Sequence, residues 1–193
     1  DVMAISSGGP TGLYLAARHP ERVHKLILEA AVSKVMKDLD PVRYQNGKDT
    51  YGSRFGFTSV MLKALARVSP KTLARVTMGL FGTHDPNEAV RELSRAEIVE
   101  IGRFYLRWQT SWTQGALNDM EQGTEPQILR SIRVPTLIVH SREDKAVPFV
   151  AAEYSHANIA GSELWEAPSW SHFISIGYGS GKVDKKVIEF LRQ

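Results

Sequence analysis

The sequence predicts an α/β protein: a mostly parallel sheet of about four strands, interrupted by a helical insertion. Three observations carry this. At both ends of the chain, apolar runs of strand length alternate with helical patterns, as parallel strands joined through helices require. Between them, from Ser33 to about Glu125, the pattern is almost wholly helical. A Gly-rich turn, Ala4-Ile5-Ser6-Ser7-Gly8-Gly9-Pro10, joins a short apolar stretch to an amphipathic one near the start of the chain.

The elements follow in order. Val2–Ile5 is a strand, and Thr11–Ala17 is a helix that stops at His19-Pro20. Val23–Val32 is continuously apolar enough for a strand buried on both faces. Gln45–Gly56 holds three glycines without apolar periodicity and reads as a loop. Ser69-Pro70 and Asp85-Pro86 pair a capping residue with a first-turn proline. Ser94 and Glu97 form a capping box, opening a helix with Ile98, Ile101, Tyr105 and Trp108 on one face. Val134–His140 and Glu163–Ala167 are strands, and Pro148–Ile159 between them is a helix ended by Gly161. The last helix, Lys182–Leu191, is expected to turn Val183, Val187, Ile188 and Leu191 toward the sheet. The chain thus divides into core (1–32), helical cap (33–125) and core again (126–193).

Composition narrows the function classes. The chain has 193 residues, 42% hydrophobic and 23% charged, as globular proteins do. The net charge is +3, with cations dispersed among acids, which gives nucleic-acid binding no support. No apolar run reaches the ~20 residues of a membrane span, so no membrane partner is expected. The absence of cysteine excludes disulfides, thiolate metal ligands and a thiol nucleophile, and favours a cytoplasmic location. The chain opens at Asp1 and enters a strand at once, which reads as a fragment whose upstream part, including the strand beside Val2–Ile5, is missing. A chain cut there is expected to be loosely packed or aggregating, with little activity of its own. Its oligomeric state is not readable from the sequence.

A serine in such a turn is a candidate nucleophile. A sharp strand-to-helix turn lifts the hydroxyl off the sheet and crowds the residues two before and two after it. Ala4 and Gly8 flank Ser6 at that spacing, whereas centring the turn on Ser7 would put Ile5 in the crowded slot. A helix cap or a phosphate-binding loop also uses serine and glycine here. No lysine follows the glycines, however, and no G-x-G-x-x-G spacing is present. Asp144, in Ser-Arg-Glu-Asp-Lys-Ala-Val-Pro, lies just past one predicted strand, and His172, in Ser-Trp-Ser-His-Phe, just past the next. Parallel sheets keep functional residues at these carboxyl ends. Serine needs a base to take its proton, and the base needs a carboxylate to fix its tautomer.

On these residues the chain resembles the C-terminal two-thirds of the α/β-hydrolase fold superfamily, of the serine-nucleophile, helical-cap type. The resemblance covers Ala-Ile-Ser-Ser-Gly-Gly-Pro with Leu-Ala-Ala-Arg-His-Pro-Glu-Arg-Val, then Pro-Thr-Leu-Ile-Val-His-Ser-Arg-Glu-Asp-Lys-Ala-Val-Pro, then Ser-His-Phe. It implies Ser6 as nucleophile, His172 as base, Asp144 as acid and the Ser7 backbone N–H as an oxyanion donor, with no cofactor and no metal. Ala4 stands where the family has glycine, and Ser169-Trp170-Ser171 stands where it usually has glycines before its histidine. Trp170 is therefore expected to line the substrate pocket, with Trp108 and Trp112 as further candidates there. For Trp108, Trp112 and Phe104 a place in the cap core is the competing expectation. Glu29, ending the second strand, is an alternative acid, while Glu143 should face solvent. His19, His24 and His140 read as structural, His84 and His156 as surface residues, and Asn118-Asp119 as a surface turn. The implied activity is hydrolysis of a small or medium apolar carboxylic ester, the ester being the small-molecule partner. Proline-iminopeptidase-like, C–C hydrolase or perhydrolase chemistry is the alternative. From another class, a ligand-binding relative or an inert fragment has the same pattern.

Overall fold

The computed structural model describes residues 1–53, 55–107 and 112–193, except the side chains of 50–53, 55, 56 and 112–114. Among these residues four parallel strands form one sheet in chain order: β1 (Val2–Ile5), β2 (Leu26–Glu29), β3 (Thr136–His140) and β4 (Glu163–Glu166). Ile5 pairs with Glu29, Glu29 with Val139, and His140 with Glu166, so all four carboxyl ends lie along one edge. Every residue of β2 and β3 is buried, which accounts for their unbroken apolar character. β1 pairs only with β2, and its Met3 and Ile5 are 44% and 51% exposed.

Helices cover both faces of the sheet. Leu26, Leu28 and Ile138 point to one face, where they meet Leu13 and Ala16 of α1 (Gly9–Arg18). Ile27, Leu137 and Val139 point to the other. The helix there is α11 (Ser180–Arg192), which follows α2 (Met36–Leu39), α3 (Pro41–Ser53), α4 (Phe55–Val68), α5 (Pro70–Phe81), α6 (Pro86–Ala89), α7 (Arg95–Arg107), α8 (Trp112–Met120), α9 (Pro126–Ser131) and α10 (Val150–Asn158). α9 and α10 complete the first layer through Leu129 and Ala152. Between β2 and β3, helices α4, α5 and α7 pack around Leu62, Leu73, Met78, Ile101 and Tyr105.

Several sequence expectations change. β2 is shorter than Val23–Val32, because Ala30 turns to φ +46° and leaves the strand. β3 starts at Thr136, directly after Pro135, which has no N–H to give the ladder. Gln45–Gly56 is helical where described, not a loop. Asp40 accepts the Arg43 N–H at 2.9 Å, Pro41 takes the first helical position, and α3 runs on from there. Its Gly47 faces α8, where a Cβ would come within 2.6 Å of Met120 Cε, the end of a flexible side chain. Asn118 and Asp119 accordingly lie in the last turn of α8, not in a turn between elements. α11 buries Val183, Val187 and Phe190, an i, i+4, i+7 stripe, and leaves Ile188 and Leu191 exposed. The capping box holds, with Ser94 N–H to Glu97 at 2.7 Å and Glu97 N–H to Ser94 Oγ at 3.2 Å.

Candidate active site

Ser6 sits in the turn between β1 and α1 at φ +51°, a left-handed conformation that costs a side-chain-bearing residue roughly 1–3 kcal/mol. The carbonyl of Ser6 is held by the N–H of Val32 at 2.9 Å and by that of Gly9. Glycine is demanded at other positions than the sequence suggested. A Cβ on Gly9 would meet the Val32 carbonyl oxygen at 1.9 Å, and one on Gly12 would meet Ala4 Cβ at 2.5 Å, whereas Gly8 faces open space. The small residue opposite Ala4 is thus Gly12, one helical turn beyond Gly8. Ser7 is exposed and lies in the first turn after β1, where backbone N–H groups have no partner within the helix.

Asp144 and His172 come from the loops after β3 and β4. His172 Nδ1 donates to Asp144 Oδ2 at 2.7 Å, and Ser6 Oγ donates to His172 Nε2 at 2.9 Å. Asp144 is 1% exposed, and its other oxygen accepts the N–H groups of Ala146 at 2.7 Å and Val147 at 2.9 Å. Burial pushes the Asp144 carboxyl up, but the hydrogen bonds from His140 and His172 outweigh it and hold the group below its ordinary value. His140, expected to be structural, is buried with its Nε2 3.3 Å from Asp144 Oδ2 and 3.0 Å from the Val147 carbonyl. The two residues are four apart in the chain, the last of β3 and a member of the loop that follows it, so the contact is a local one.

The remaining candidates are placed as follows. Trp170 stacks between His84 (3.8 Å between ring centroids) and Tyr178 (4.0 Å), so both its faces are covered. His84 is therefore a packed residue, not a free surface one. Phe104 is 43% exposed and sets its ring edge-on to Tyr105 and Phe173, at the margin of the core around Tyr105. Trp108 and the side chain of Trp112 lie outside the described residues. Phe81 and Phe173 flank the His172 ring, with centroids at 6.2 and 5.8 Å. Among the described residues, no helix is long and apolar enough to cross a membrane, and no cluster of three His, Asp or Glu suits a metal ion.

Glu29 is buried at the end of β2 and accepts a hydrogen bond from Ser175 Oγ at 2.5 Å, not from His172. Burial raises its carboxyl above the ordinary 4.5, and the Ser175 hydroxyl offsets part of that. Above pH 4.5 the folded state therefore keeps a proton that the unfolded state has lost, and stability falls as pH rises through the raised value. Glu29→Gln should flatten this fall in urea denaturation measured across pH. An unchanged slope would assign the fall to another group.

Comparison with known proteins shows the fold family. The model of the alpha/beta hydrolase fold matches residues 1–177. The uncharacterized hydrolase YcgS of Bacillus subtilis is 28% identical over 193 residues, covering 98% of this chain and 67% of its own. A pimeloyl-[acyl-carrier protein] methyl ester esterase of Neisseria meningitidis is 29% identical over 175 residues, covering 85% of this chain and 48% of its own. An alpha/beta hydrolase fold protein from Nakamurella multipartita superposes with a TM-score of 0.72 at 27% identity, over 99% of this chain and 68% of its own. An enol-lactonase from Burkholderia xenovorans, at 22% identity and a TM-score of 0.65 over 99% of this chain and 65% of its own, shares the fold. This chain thus spans 48% to 67% of the length of the two curated relatives. With the match running from β1 past the loop that holds His172, the chain belongs to the alpha/beta hydrolase fold family.

Proposed function

We propose that this protein is a serine hydrolase acting on a small or medium apolar carboxylic ester. The observation that carries the proposal is the unbroken hydrogen-bonded chain from Ser6 through His172 to buried Asp144. Ser6 Oγ attacks the ester carbonyl while His172 Nε2 takes its proton. The imidazolium then returns that proton to the departing alcohol, leaving an acyl group on Ser6. Water, deprotonated by His172, releases the acid. Asp144 holds the proton on Nδ1 and stabilises the cation, and the Ser7 N–H faces the oxyanion.

The ester is preferred because the Neisseria relative is an esterase by name and because Phe81 and Phe173 give the surroundings of His172 an apolar lining. The helical segment 33–125 acts as the cap over this site. Peptide, C–C or peracid chemistry would use the same groups, and choice among them lies in the shape above Ser6.

Mass spectrometry after treatment with a fluorophosphonate probe tests the proposal. A single adduct on the peptide carrying Ser6 is expected, and its loss in His172→Ala. Folded protein that leaves Ser6 unlabelled would sink the acyl-enzyme route.

A further inference from the structure

The hydrogen bond between Asp144 and His172 joins two loops that leave different strands, and the sheet alone does not fix their mutual distance. A segment of the helical layer reaches both. α5 ends at Phe81, where backbone carbonyls have no partner within the helix. The Phe81 carbonyl instead accepts the backbone N–H of His172 at 2.9 Å and that of Lys145 at 3.2 Å. Gly82 forms an antiparallel bridge with Asp144 itself, and the Thr83 N–H donates to the Glu143 carbonyl at 3.0 Å. Lys145 Nζ returns to the Gly79 carbonyl at 3.0 Å. One residue further on, His84, held by Glu88 at 2.9 Å, stacks on Trp170 two residues before His172.

From these contacts we infer that Phe81–His84 is a positioning strap that holds the Asp144 and His172 loops in register, with Gly82 as its positioning residue. The inference rests on reading Ser6, His172 and Asp144 as a catalytic triad. Gly82 is extended, at φ −134° and ψ 154°, so any residue could adopt its backbone conformation. What it lacks is room. A Cβ would lie 2.1 Å from the Trp170 carbonyl oxygen and 3.1 Å from Ser171 Cα, both backbone atoms of the histidine loop. Adding one carbon therefore moves the backbone next to His172. The strap also brings the C-terminal end of α5 against the His172 backbone. Any shift of α5 is passed to both loops together, so the helical layer and the triad geometry are coupled.

The test compares wild type with Gly82→Ala, and with His84→Ala in case the first variant does not fold. Three quantities are read: kcat and KM for p-nitrophenyl butyrate, the circular dichroism melting curve, and the low-field proton resonance of His172 Nδ1–H. Folded Gly82→Ala should lose on the order of 10²-fold in kcat with KM little changed, the scale of a 1 Å misplacement. Its Nδ1–H resonance should shift or broaden. His84→Ala should move kcat and the resonance in the same direction by less. A folded Gly82→Ala, or failing that His84→Ala, with wild-type kcat or an unmoved resonance would overturn the strap. Failure of the triad reading shows separately, as turnover that survives Ser6→Ala, and the resonance still reports on the strap because it needs no turnover.

Discussion

Replacing Ser6 with alanine is expected to abolish ester hydrolysis, while Ser7→Ala keeps most of it. Ser6 carries the hydroxyl that donates to His172 Nε2 at 2.9 Å, and no neighbouring hydroxyl occupies that place. Deleting the serine of such a triad costs on the order of 10⁶ in kcat, with binding and the oxyanion donor supplying what remains. Ser7 differs in kind. Its side chain is exposed, and its proposed contribution is a backbone N–H that alanine retains. Steady-state kinetics on p-nitrophenyl butyrate would check both variants. An inactive Ser7→Ala beside an active Ser6→Ala would move the nucleophile by one residue.

Asp144→Asn is expected to cost on the order of 10⁴ in kcat, by the tautomer argument for such triads. The hydrogen bonds around Asp144 say how. Oδ1 accepts two backbone N–H groups, from Ala146 and Val147, so the asparagine oxygen must occupy that position. The asparagine NH₂ then faces His172 Nδ1, which must become an acceptor. The ring proton moves to Nε2, and His172 can no longer take the proton of Ser6. Glu29→Gln should cost far less, because Glu29 bonds to Ser175 instead of the imidazole. Kinetics of the two variants side by side decide the matter, and the reverse ranking would transfer the acid role to β2.

Much of the fold was legible because the features that reveal it are local. The Ser94–Glu97 capping box, the prolines at positions 70 and 86, and the alternation of strands and helices all act within a few residues of chain. Three residues on separate loops were legible for a related reason. In a parallel sheet all carboxyl ends share one edge, so any strand-end residue is a candidate neighbour of the others.

What the sequence hid depends on partners distant along the chain. Glycines made Gln45–Gly56 look like a loop, but Gly47 lies within a helix and faces Met120 on α8. The buried stripe of α11 was misjudged because periodicity gives the width of an apolar arc and not which side meets the sheet. Gly12, not Gly8, sits against Ala4, and Gly82 makes room for the Trp170 backbone. By itself the sequence determined the four strands, their order and the three residue types that gather at the sheet edge, since backbone sterics and apolar spacing operate over a few residues. Only the tertiary structure decided that Glu29 bonds to Ser175 and that α5 ends against His172, because such contacts depend on close approach between segments whose separation no local rule encodes.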